Sequence, residues 1–210
     1  MFTLTRANAA SVPDHYQFVL EYIRELGAIE RIRAQAATEM GSKSSNQLAD
    51  CVRSSTRFQL ELNSQIHMLG RFSLAAPFND LPSYIIQLYS DKLAIFEKFG
   101  SVCSTMLAGP KPNIDYGAMA ADAPKLNAQL EFIDRTLLDA TVFIFSALID
   151  PKPDAQNNMS RLIITKAETD NLVQSIERDF GKNPPEPQNF TVSAASILKT
   201  YLTEKGYTPK

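Results

Sequence analysis

Apolar residues recur along this chain at steps of three and four. Glycine and proline break that rhythm into stretches long enough to be helices. The first follows Pro13, where Asp14 offers an N-cap. One face carries His15, Phe18, Val19, Tyr22, Leu26, Ile29, Ile32, Ala36 and Met40, which predicts a helix over 14–40 closed by Gly41. "SKSSNQ" (42–47) then supplies several N-cap candidates. Leu48, Val52, Ser55, Gln59, Leu62, Ile66, Leu69 and Ser73 alternate steps of four and three, a heptad-like seam over 45–73. After the corner "AAPFNDLPS" (75–83), Pro82 opens a third helix to Ala108, with Tyr84, Leu88, Ile95, Phe99, Val102 and Met106 as its stripe. Gly109 and Pro110 end it.

"GPKPNIDYG" (109–117) reads as a longer connection. A fourth helix is expected from Asp122 or Ala123 to Ile149, with Pro124 in its first turn and Leu126, Leu130, Ile133, Leu137, Ile144 and Leu148 on its core side. "DPKPDAQNNMS" (150–160) is a linker by composition. Beyond it Thr165 and Glu168 form a capping box for a short helix over 166–180, stopped by Gly181. "GKNPPEPQNF" (181–190) breaks the chain as an ordinary loop. Thr191 or Ser193 starts a last helix that Gly206 ends.

The expected fold is therefore all-α: an antiparallel bundle of four long helices over 1–150, with a two-helix extension over 151–210 packed on it as one structural domain. Helices as short as the last two are marginal alone, so both must dock. Strand-like alternation is hard to find outside the helix-period segments.

Composition sharpens this only a little. The chain has 210 residues, 44% hydrophobic and 21% charged, which is enough to build a core without staples. A formal net charge of −2 with no Lys/Arg block makes nucleic acid an unexpected partner. The most apolar run, "LLDATVFIFSALI" (137–149), is too short to span a bilayer and contains Asp139, so it reads as a helix buried on most sides. No transmembrane segment is expected. The N-terminal stretch lacks the apolar run of a signal peptide, which gives a cytoplasmic expectation; an exported mature domain is the alternative if Met1 follows a removed signal.

Cys51 stands 27 residues before Phe78 and Cys103 stands 25 after it, so across the Pro77–Pro82 corner both lie roughly 40 Å out at one level. The simpler expectation is two small reduced core residues. A disulfide would need their Cα atoms within roughly 4.4–6.8 Å and an oxidising compartment.

Within the second helix Gln59, Asn63 and His67 form a polar file four residues apart. On a helical wheel it starts in the seam and turns toward one neighbour by roughly 40° per step. With Ser55, it reads first as a hydrogen-bonded layer that fixes helix register. The sharper reading is an inter-helix cavity for a small organic molecule, lined by Tyr22, Gln59, Asn63, His67, Tyr84 and Tyr89. His15 and His67 lie at comparable distances from Ser42, but two histidines make a poor metal site. The Glu-x-x-His of di-iron bundles and the ligands of structural zinc are both missing, so no metal or other cofactor is expected. Glu30 and Arg33 are expected to form a surface ion pair. Of Asp134, Arg135 and Asp139, Asp139 is expected to be the buried member, paired with a cation.

No G-x-S-x-G, P-loop or dinucleotide fingerprint occurs. The leading functional expectation is a non-enzymatic bundle acting through protein–protein interaction or self-association. The alternative is a small-molecule-binding or sensory bundle. An enzyme would need a histidine in a cleft beside a perturbed carboxylate.

Overall fold

The computed structural model describes residues 14–41, 46–109, 113, 115–149 and 166–207, and those residues form six helices. They are α1 (Asp14–Gly41), α2 (Gln47–Leu69), α3 (Leu81–Leu107), α4 (Tyr116–Leu148), α5 (Lys166–Phe180) and α6 (Ala194–Glu204). The linker 150–160, the Thr165–Glu168 capping box and the side chains of Glu30 and Arg33 lie outside the described residues. No described helix is long and apolar enough to cross a membrane.

The all-α expectation holds, with four long helices in sequence around a common core and two short ones packed against them. Asn46 caps α2 by accepting from Ala49 N, and Pro82 sits in the first turn of α3. Gly109 and Gly206 take φ of +84° and +90°, the left-handed turn that lets the chain leave α3 and α6. The fourth helix starts earlier than expected. Asp115 caps it through Ala118 N, and Pro124 lies inside it. The capping bond and the helix-forming run "AMAA" outweigh the hydrogen bond that Pro124 cannot donate.

The buried apolar cluster gathers toward the end of the bundle where α1 begins, α2 meets α3, and α4 finishes. Phe18, Tyr22 and Ile23 of α1 meet Leu62 and Leu69 of α2, Leu81 and Ile85 of α3, and Ile144 and Leu148 of α4 there, all essentially without exposure. As expected, 137–149 is buried on most sides. The chain after α5 seals this end. Gln188 N donates to the Ala147 carbonyl at 2.8 Å, and Phe190 packs on Phe78 and Phe143. Ala194 N donates to the Pro77 carbonyl at 2.8 Å, and Ser193 Oγ bonds the Asp80 carboxylate. α5 lies along α1, with Leu172, Val173 and Ile176 buried and the Tyr16 hydroxyl donating to the Ile176 carbonyl at 3.1 Å.

The opposite end of the α2–α3 pair is held differently. Cys51 and Cys103 form a disulfide with Cα atoms 6.1 Å apart, which corrects the expectation of reduced thiols. The long-range levels matched, and the antiparallel pairing turned both side chains into the same interface.

Candidate functional site

The polar groups of the interior sit on a different file from the one read in the sequence. The α2 face against its neighbours runs Cys51, Ser55, Phe58, Leu62, Gln65, Leu69 rather than through Gln59 and Ile66. On α3 it runs Ile85, Tyr89, Lys92, Phe96, Cys103. Both are heptad-like: the α2 face keeps Ser55, Leu62 and Leu69 of the predicted seam and exchanges Gln59 and Ile66 for Phe58 and Gln65, while the α3 stripe is shifted by about one position with Ile95 still buried. Phe58 could have disclosed the phase, since a seam through Gln59 leaves a large aromatic beside it, and Gln65 falls in step with Phe58.

The six residues proposed for a cavity are distributed over separate surroundings. Tyr22 and Tyr89 meet edge to face in the core, ring centres 6.4 Å apart. Gln59 Nε2 donates to the Phe96 carbonyl at 3.1 Å, which also accepts from Ser55 Oγ at 2.9 Å. These two bonds tie α2 to α3 beside Gly100, where a Cβ would stand 3.0 Å from Gln59 Nε2 and 3.3 Å from Ser55 Cβ. Asn63 is exposed and bonds the Gln59 carbonyl one turn back. His67 is exposed, and Tyr84 is half-buried under the Lys199 ammonium, 5.0 Å from its ring centre. His15 Nε2 pairs with the Pro185 carbonyl at 2.9 Å.

A polar level that the sequence did not disclose crosses the bundle at Tyr22 and Glu25 of α1, Gln65 of α2, Tyr89 and Lys92 of α3, and Asp134 and Thr141 of α4. Gln65 lies 14 residues after Cys51 and Tyr89 lies 14 before Cys103, so the antiparallel pair sets them at one height. Gln65 Nε2 donates to the Glu25 carbonyl at 2.7 Å. Thr141 Oγ1 donates to the Leu137 carbonyl at 2.7 Å, so Tyr22 must be the donor in its 2.9 Å bond to Thr141. Lys92, only 4% exposed, meets the Asp134 carboxylate at 2.6 Å. Asp134 thus takes the buried pairing expected of Asp139, which is half-buried and acts on Tyr207 instead. A lysine inside a heptad stripe, in step with Tyr89 and Phe96, was the available signal.

Electrostatics at this level favour neutral forms. Burial pushes the Tyr22 phenol up to about 12, and burial with the neighbouring Tyr22 raises Tyr89 well above its ordinary range. Glu25 is raised by its own desolvation and then by Glu61, whose carboxyl lies within hydrogen-bonding reach; Arg31 works the other way. Two polar atoms here have no hydrogen-bond partner: Gln65 Oε1 and the Tyr89 hydroxyl, which lies beside Tyr22 without a bond of normal geometry to it. Among the described residues no group of three or more His, Cys, Asp or Glu side chains is placed to hold a metal ion.

Neither a protein-family model, a curated protein nor a solved structure matches the chain. Its function must be read from its own geometry.

Proposed function

We propose that the chain is a non-enzymatic helical bundle that works in an oxidising compartment by docking a protein partner, or a second copy of itself, on its disulfide-clamped end. The observation that carries this is the way the core thins toward the Cys51–Cys103 bridge. Leu48, Val52, Phe99, Val102 and Met106 keep helical spacing there yet are only half-buried, and Leu107 is 46% exposed. Amphipathic helix faces with unburied apolar positions are what a partner helix or groove covers. A disulfide persists where thiols are not kept reduced, so the Cys51–Cys103 bridge supports a working compartment outside a reducing cytosol. The exposed His67 and the backbone-paired His15 support a binding role over a catalytic one.

The test is site-directed photo-crosslinking in the source cell, with a photoreactive phenylalanine analogue replacing Leu107 in one variant and the exposed Lys182 in another. A discrete adduct at 107 and none at 182 is expected, and an adduct at twice the chain's mass identifies a second copy. Equal labelling at both positions, or none at either, overturns the proposal.

The small-molecule reading keeps one support, the unpartnered Gln65 and Tyr89 atoms inside the four helices.

A further inference from the structure

The segment that leads from α5 into α6 carries a chemistry that docking does not use. Asn189, Phe190 and Thr191 spell Asn-x-Thr with no proline in the middle, and Val192 follows. This is the acceptor pattern for an N-linked glycan, in which the asparagine amide takes the sugar and the hydroxyl two residues on completes the recognised motif. Among the described residues no other asparagine stands two positions before a serine or threonine. The fold puts this motif where a glycan can sit. Most described residues are helical, yet these three lie between Phe180 and Ala194, outside any helix. Phe190 turns inward onto Phe78 and Phe143, with ring centres 5.6 and 6.2 Å away. Asn189 and Thr191, on either side of it, are both exposed. The anchored ring thus holds the two polar groups at the surface, and a bulky hydrophilic adduct there displaces no packed side chain. The segment seals the end of the bundle away from the Cys51–Cys103 bridge, so a glycan leaves the docking end clear.

We infer that Asn189 is an N-glycosylation site. The inference rests on the oxidising-compartment part of the proposed function and is independent of what docks at the disulfide end, since disulfides and N-linked glycans both belong to exported chains. The donor is of the class of oligosaccharides joined through pyrophosphate to a lipid carrier. Asn189 Nδ2 forms a bond to the anomeric carbon of the first sugar and gives up one proton. The bond from that carbon to the pyrophosphate oxygen breaks, and the lipid pyrophosphate leaves with the electron pair. Nothing is oxidised or reduced. The Thr191 hydroxyl is a recognition group and emerges unchanged.

The experiment is peptide mapping by mass spectrometry on the full chain isolated from its source cell without reductant, its free thiols alkylated first. Trypsin releases residues 183–199 as one peptide, cut after Lys182 and Lys199. Asn158, which shows the same pattern outside the described residues, falls in another peptide. The 183–199 peptide is expected to be missing at its plain mass. Peptide-N-glycosidase in heavy-oxygen water should restore it with a labelled aspartate at 189. Thr191→Ala should give the plain peptide without that treatment, whereas Thr191→Ser keeps the hydroxyl and the glycan. Both variants change one exposed side chain and should fold as the parent does. A plain peptide from a parent chain whose Cys51–Cys103 bridge is intact overturns the inference and leaves the compartment reading standing. A plain peptide together with alkylated cysteines overturns both. An adduct that survives Thr191→Ala is not a glycan of this motif and also overturns the inference.

Discussion

At the scale of single residues, two buried arrangements make opposite demands. Lys92 is buried and Asp134 partly so, and an ion pair taken out of water holds only while both members remain. Asp134→Ala should cost about 3 kcal/mol or more, because it takes the carboxylate away from a buried cation. The double change Lys92→Met with Asp134→Leu should recover most of that loss. Urea unfolding of the two variants, run as a mutant cycle, checks this. Glu25 behaves differently. Its folded-state pKa is raised above the ordinary 4.5, so the native state holds its proton more tightly than the unfolded chain does. The resulting stability is present below the unfolded value and is lost as pH rises through the folded one. Glu25→Gln should flatten that fall, seen as urea midpoints that change less between pH 4 and pH 7 than those of the parent.

Whole elements depend on a few caps and breaks. Pro124 sits on the exposed face of α4 with no N–H to give the helix. Pro124→Ala should stabilise the protein by about 1–3 kcal/mol, read as a higher urea midpoint with unchanged helix content. Asp80 stands at the N-cap position of α3 but makes no capping bond there; its carboxylate serves Ser193 Oγ and Ala195 N at the start of α6. Asp80→Ala should therefore loosen α6 rather than α3, at about 1–2 kcal/mol. Limited trypsin digestion should cut at Lys199 and Lys205 faster in that variant, with α3 sites unaffected.

For the molecule as a whole, the two ends of the bundle are secured by different means. One end has buried side chains from all four long helices and α6, with the partly buried Phe190 packed against them. The other relies on a covalent bridge across 52 positions of sequence. On the chain-entropy account, closing a loop of that length restricts the unfolded chain by about 4 kcal/mol. Replacing both cysteines by alanine should lower stability by about 2–5 kcal/mol while preserving helix content, measured by circular dichroism during urea unfolding. A reducing agent should move the parent to the same midpoint and leave the alanine variant unmoved.

The sequence alone determined the six helices of the described residues, most of their ends and the all-α class. Those follow from local chemistry: the three-and-four rhythm, Asn46 and Ser193 as caps, Gly109 and Gly206 as left-handed exits. It also placed Cys51 and Cys103 at one level, because a fixed rise per residue measures height without a structure. Tertiary packing decided how each helix was rotated about its axis. Seams through Gln59 and Ile66, or through Phe58 and Gln65, share Ser55, Leu62 and Leu69, differ by about 50° of turn, and are both heptad-like. Only the neighbours choose between them. That choice turned the two cysteines face to face, moved Asn63 and His67 to the surface, and brought Gln65, Tyr89 and Lys92 into the interior, where helices distant in sequence supply their surroundings.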